Sequence, residues 1–211
     1  FVCLLTAIHL TQYAKRYVLN IMHPVIDILA GIPSVIYGVW GILVVVPIIS
    51  KYVAPFFGIQ TSGYTLLAGA IVLAIMIIPF ILNILIEVFR SIPTELTEAS
   101  LALGATRWQT IKFVILRKGF PGIISALGLG VSRAFGETIA VLMVVGNVAK
   151  IPTGVFQPAY PLPALIANNY GEMMSIPMYQ SALMFSALVL FVIVMLFNLA
   201  SRIAIAKFET K

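Results

Sequence analysis

Charge is what this sequence has least of. Its 211 residues hold thirteen lysines and arginines and seven acids, 9% of the chain, against 61% hydrophobic residues and a mean hydropathy of +1.09. Water-soluble domains carry about 45–50% apolar residues, so a soluble fold is excluded and the chain reads as a polytopic membrane protein. One cysteine, Cys3, excludes an internal disulfide and a cysteine metal cluster. His9 and His23 stand apart, and no His, Cys or carboxylate set has metal-ligand spacing. No G-x-x-x-x-G-K-[ST] string is present, so nothing here cradles the phosphates of a nucleotide. No nucleophile and base are set side by side either, and an enzyme acting alone is rejected. The net charge of +6 is not a nucleic-acid signature, because the basic residues fall between apolar runs instead of clustering on a soluble face. Phe1 opens within an apolar stretch without an initiator methionine or a basic leader, which reads as a fragment lacking its amino-terminal part and not as a signal peptide.

The apolar runs are Phe1 to Ala14, read as a truncated helix, then Val25 to Ile49, Thr65 to Phe89, Gly119 to Val148 and Ser181 to Ala206. The last four suffice for a hydrocarbon core of roughly 30 Å, which needs about 20 helical residues. The expectation is an all-α bundle of about five spans. Lys15 and Arg16 fall in the first loop, Arg90, Arg107, Lys112, Arg117 and Lys118 in the third, and Arg202, Lys207 and Lys211 at the end, whereas the second and fourth loops hold only Lys51 and Lys150. That alternation assigns the first and third loops and the tail to the cytoplasm. Asp27 and Glu87 then fall at cytoplasmic span ends, and prolines 33, 47, 79 and 121 interrupt the spans, each removing a backbone donor. In lipid such breaks persist where neighbours or cavity water satisfy the released carbonyls.

Arg133 and Glu137 lie near the centre of the fourth run, four residues apart. A charge at the bilayer centre costs about 2.5–3.5 kcal/mol on a translocon scale, so the pair marks either a transport pathway or an ion pair that fixes helix register. Beside it runs a ladder of small residues, Gly122, Ala126, Gly130, Ala134 and Thr138, which lets two backbones approach closely. The seam faces either a partner subunit across the pathway or a neighbour within the chain.

The third loop, 90–118, reads as two short helices. Thr94 is placed to cap the first, Gly104 to stop it, and Thr106 with Gln109 to form a capping box for the second. The stretch Glu98-Ala99-Ser100-Leu101-Ala102-Leu103-Gly104-Ala105-Thr106-Arg107-Trp108 resembles the EAA loop of binding-protein-dependent ABC importer permeases, with Ser100 in place of the second alanine and Leu116-Arg117 where the family often has Leu-Pro. Three further stretches are similar to the PstC-type permease family of phosphate-specific importers: residues 30–38, Ser132-Arg133-Ala134-Phe135-Gly136-Glu137-Thr138-Ile139-Ala140-Val141 with Gly146-Asn147, and residues 164–168. The PstA type tends to follow Gly-Glu-Thr with Ala-Pro, unlike Thr138-Ile139 here.

The resemblance implies a MetI-like transmembrane domain over residues 1–211, located in a bacterial or archaeal cytoplasmic (inner) membrane. It implies a substrate pathway through Arg133, Glu137, Ser132 and Thr138, and contact with an ATPase through Glu98, Ala99, Gly104, Thr106 and Arg107. It also implies partners: a second permease subunit of PstA type or a homologous copy, two ATPase subunits holding ATP and Mg, and an extracytoplasmic phosphate-binding protein docking beside the proline-rich loop 149–180. No cofactor is expected on this chain itself and no nucleic acid as a partner. Physical chemistry supports an oxyanion, matched by a planar guanidinium fork; phosphate over sulfate, molybdate or phosphonate rests on the resemblance. An ATP-independent anion transporter and a membrane sensor remain as alternative classes.

Overall fold

The computed structural model describes residues 1–171 and 175–209, with the side chains of residues 16 and 204–209 outside the description. Among the described residues the chain is helical, apart from loops and a single bridge between Gly146 and Ala159. The helices are α1 (Val2–Tyr13), α2 (Arg16–Gly31), α3 (Ser34–Phe56), α4 (Leu66–Arg90), α5 (Thr94–Ala102), α6 (Arg107–Gly136), α7 (Ile139–Val144), α8 (Leu162–Asn169) and α9 (Pro177–Glu209). Of these α3, α4, α6 and α9 are long and apolar enough to cross a membrane, and α1 and α2 are shorter apolar helices. Four helices long enough to cross thus replace the four long runs read from hydropathy, two of them with both ends moved.

The first moved boundary is in the run Val25 to Ile49, which is not one helix. It breaks at Ile32 and Pro33, so that α2 ends at Gly31 and α3 begins at Ser34. Local chemistry accounts for the break: glycine is a poor helix former, the residue before a proline is pushed out of the α region, and Pro33 takes ψ 138° as the residue preceding the new helix. Pro33 therefore starts a helix and does not bend one. Pro47, Pro79 and Pro121 do lie inside α3, α4 and α6. Widened π turns at Gly41–Val45 and Ile49–Val53 flank Pro47, the kind of local adjustment that re-satisfies backbone groups around a proline in a membrane helix.

The second moved boundary is at the run Gly119 to Val148. The helix that contains its first half begins twelve residues earlier, at Arg107, continues through Lys118 without a loop, and stops at Gly136. Ile111 and Ile115, on a π turn, are buried in an apolar core while Lys112, Arg117 and Lys118 are exposed, so the helix runs through the basic residues with its apolar side chains packed. No helix boundary falls at Leu116-Arg117, where the loop pattern often has Leu-Pro.

The chain divides into two compact units, one formed by Phe1–Gly31, Ile78–Val131 and Phe197–Lys211, the other by Ile32–Ile77 and Ser132–Leu196. The first has a core of Ile26, Leu82, Leu85, Ile86, Phe89, Ile111, Ile115, Ile123 and Ala126 with Ala7, Ile8 and Leu10. Gly122 contributes by what it lacks, since a Cβ there would lie 2.5 Å from a Val88 methyl. Gly122 and the fully buried Ala126 therefore pack within the chain, which selects the internal alternative for that part of the small-residue ladder. The second unit has a core of Val45, Val46, Ile49, Ala68, Val72, Met76, Ala140 and Val144.

Candidate functional site

Arg133 and Glu137 fall on either side of a helix end. Arg133 lies in the last turn of α6, Gly136 closes it, Glu137 and Thr138 are outside any helix, and α7 starts at Ile139. The expected arrangement, one unbroken helix with the two charges a turn apart, is corrected here. The Glu137 carboxylate instead accepts a hydrogen bond from the Ala140 backbone N–H at 3.1 Å, and the Glu137 N–H donates to the Ala134 carbonyl at 3.3 Å. The break thus carries a cation where helix carbonyls accumulate negative partial charge and a carboxylate where unsatisfied N–H groups begin the next helix. Each charge is stabilised by the helix end it sits on. Arg133 also lies close enough to Tyr37, on α3, for its charge to act on the phenol.

Packing holds this break in place. A Cβ at Gly38 would meet the Met143 sulfur at 2.5 Å and the Ala140 Cα at 3.3 Å, and one at Gly41 would meet Val144 and Val72 methyls at 2.7 Å. Two glycines three residues apart on α3 thus admit α7 to close contact, a pairing that sequence inspection passed over although Gly31 and Gly38 stand in the stretch at 30–38. At its far end α7 is closed by Asn147, whose side-chain amide donates to the Leu142 carbonyl at 2.7 Å, and Gly146 and Asn147 both have positive φ, 92° and 52°. Short asparagine and glycine tolerate that conformation best. Ser132, Arg133, Glu137 and Thr138 are each half-buried, and the Thr138 hydroxyl donates to the Gly136 carbonyl at 3.3 Å. All four candidate pathway residues thus converge on one interrupted segment.

The loop between α4 and α6 forms a hairpin. Glu98, Ala99, Gly104, Thr106 and Arg107 are all exposed on it, as are Leu101, Leu103 and Trp108, with Leu103 at 90%. Gly104 turns the chain at φ 83°. Both halves of the capping box form: the Gln109 N–H donates to Thr106 Oγ1 at 3.3 Å and the Thr106 N–H to Gln109 Oε1 at 2.8 Å. Thr94 does not cap α5; it is the first helical residue after Pro93, whose fixed φ of −57° sets the entry, and no side chain caps that end. Ser100, the departure from the second alanine of the loop pattern, shares a 2.9 Å hydrogen bond with the buried Thr110 hydroxyl and so ties the hairpin's two arms.

Residues 4–210 match the family described as binding-protein-dependent transport system inner membrane component. The chain belongs to that family. This permease component is a multi-pass protein of the cytoplasmic membrane, all-α and MetI-like. It is 36% identical over 219 residues to the phosphate transport system permease protein PstC of Xylella fastidiosa strain 9a5c, covering 97% of this chain and 67% of that relative. It is 41% identical over 196 residues to a probable ABC transporter permease, YqgH, of Bacillus subtilis, covering 93% and 62%. With a probable PstC of Methanocaldococcus jannaschii the figures are 37% over 204 residues, 92% and 64%. The chain thus spans about two thirds of the length of these relatives. A chain in an inward-facing structure of the MetNI methionine ABC transporter superposes with a TM-score of 0.67 at 20% identity, covering 98% of this chain and 84% of that one, and supports the fold.

The proline-rich loop 149–180 contains a helix of its own. Its apolar part forms α8, with Ala164 buried, and the Tyr160 hydroxyl accepts from Asn168 and Asn169 side-chain amides at 3.1 and 3.0 Å. Residues 172–174 of this loop lie outside the described residues. His9 and His23, equally unremarkable in sequence, part company: His9 stacks on Tyr13 with ring centroids 6.1 Å apart, whereas His23 joins a cluster of carboxylates.

Proposed function

We propose that this permease component carries phosphate across the membrane as one subunit of an ATP-driven importer. Its partners are a second permease subunit of PstA type or a homologous copy, two ATPase subunits that hold ATP and Mg, and an extracytoplasmic phosphate-binding protein. The observation that carries the reading is Arg133 at an interrupted helix, in a chain whose relatives bear the name of phosphate transport permeases. A break in a membrane helix persists where it borders protein or a water-lined cavity, and in transporters such breaks gather around substrate.

The chemistry follows from the charges. A dianion or monoanion leaving water needs an opposite charge and directed donors, and the guanidinium of Arg133 supplies both through its planar fork. Glu137, anchored on the Ala140 amide, keeps a negative charge four residues away in sequence, so that the anion meets a cation whose attraction is tempered and release stays possible. Ser132 and Thr138 offer hydroxyls on the same segment. The exposed hairpin residues Glu98, Ala99, Gly104, Thr106 and Arg107 form the surface that an ATPase subunit engages, with Leu103 at the tip as the apolar contact.

The assembled complex in liposomes, supplied with binding protein, tests this reading through its ATPase rate. Phosphate is expected to stimulate hydrolysis and sulfate is not; stimulation by sulfate alone overturns the substrate. Removing the turn residues 103–105 is expected to abolish stimulated hydrolysis, whereas undiminished uptake without the hairpin tip would favour an ATP-independent carrier.

A further inference from the structure

His23 stands between two carboxylates from different helices. Its Nδ1 is 3.0 Å from Asp27 Oδ2, one turn along α2, and its Nε2 is 3.0 Å from Glu87 Oε1, near the end of α4. The Asn83 amide donates to the other Asp27 oxygen at 2.7 Å, and Arg90 Nη1 lies 3.9 Å from Glu87 Oε1. Ionised carboxylates only accept hydrogen bonds, and a neutral imidazole has one N–H and one bare lone pair. Both contacts are satisfied together by the imidazolium, which donates from each nitrogen. The bridge joins residues 64 positions apart in sequence and closes three residues before α4 ends.

We propose that His23 is a positioning residue for coupling: protonated, it clasps α2 to the end of α4 and so fixes the base from which the hairpin projects. The inference rests on the coupling role proposed above for that hairpin. The path from clasp to hairpin is short. Arg90, against Glu87, lines a cavity of about 660 Å³ together with Thr94, Thr97 and Glu98 of α5. The charged groups that the described contacts bring to His23 are Asp27 on its own helix and Glu87 on α4, with Arg90 behind Glu87; α1 and α6 supply apolar side chains such as Leu10 and Ile115 to the neighbouring core. The His23 side chain is 23% exposed, with Asp27 and Glu87 more so, which lets protons exchange with solvent. Histidine changes charge between about pH 5 and 8. With the proton present the clasp has both hydrogen bonds. A neutral ring turns the lone pair of one nitrogen on a carboxylate and loses that contact.

The test uses the full complex with its ATPase subunits and binding protein, reading ATP hydrolysed per phosphate imported across that pH range. The unaltered complex is expected to be tightly coupled at the acidic end and to hydrolyse more ATP per phosphate as pH rises. His23→Gln, a neutral amide whose two donor hydrogens share one nitrogen, lacks both the charge and the opposed donors of the ring; it is expected to raise the ratio about two- to fivefold at acidic pH, the range a partly exposed charged contact is worth, and to flatten the profile. His23→Arg keeps two donors and a permanent charge, and is expected to restore tight coupling at every pH. A His23→Gln complex with the unaltered ratio and profile overturns the proposal, as does a His23→Arg complex that behaves like His23→Gln. If His23→Gln does not assemble, the His23→Arg profile decides alone: flat and coupled supports the clasp, pH-dependent like the parent overturns it. Absence of phosphate-stimulated hydrolysis in the unaltered complex instead defeats the functional reading beneath it.

Discussion

Two carboxylates in this chain stand four residues after a side chain able to carry positive charge, and they end in opposite situations. Asp27 follows His23 on the unbroken helix α2, and the pair meets at 3.0 Å as helix geometry dictates. Glu137 follows Arg133 at the same spacing, yet the helix ends between them and the carboxylate goes to the Ala140 amide of the next helix. Spacing proposes a pair; continuity of the helix decides it. In the first case the charges join two helices through Glu87, and in the second they stabilise the two ends of an interruption.

If packing of α7 against α3 maintains the interruption, filling the space it uses should do the most damage. Gly38→Val is expected to destabilise the protein by about 1–3 kcal/mol, since Ala140 backbone and Met143 leave no room for a side chain; thermal inactivation of the purified complex reads it, and an unchanged midpoint would remove packing as the cause of the break. Removing the carboxylate comes next. Glu137→Ala is expected to lower stability by about 1 kcal/mol through loss of the acceptor for Ala140, with Glu137→Gln closer to the parent because its amide oxygen still accepts. Equal losses in the two variants would mean that charge, not the hydrogen bond, holds the segment. The other member of the comparison should respond least. Asp27 is 46% exposed, so Asp27→Asn is expected to change stability by at most about 1 kcal/mol, while shifting the pH profile of coupling; a larger loss of stability would make the His23 cluster structural cement.

Much of the fold was legible in residues whose signals are local. The capping box at Thr106 and Gln109, the turn at Gly104 and the span from Leu66 to Arg90 follow from side-chain chemistry and hydropathy within a few positions. Hydropathy misled wherever an apolar run outlasted its helix. The break at Ile32 and Pro33 and the end at Gly136 both fall inside apolar stretches, and the start of α6 at Arg107 is masked by Lys112, Arg117 and Lys118. The candidate pathway residues were legible as a charged segment in an apolar chain, but their capping arrangement required knowing where α7 packs. His23 was invisible for a different reason: half of its contacts come from Glu87, and no local pattern announces a tertiary partner.

The most direct test of the account is phosphate uptake by the reconstituted complex bearing Arg133→Gln, with assembly verified by co-purification of all subunits. Loss of the guanidinium removes both the charge and the forked donors, and uptake is expected to fall about ten- to a hundredfold, in line with a charge-assisted contact made to the moving anion. Uptake within a factor of about two of the unaltered complex, less than a single ordinary hydrogen bond is worth, would contradict a passage for phosphate beside Arg133.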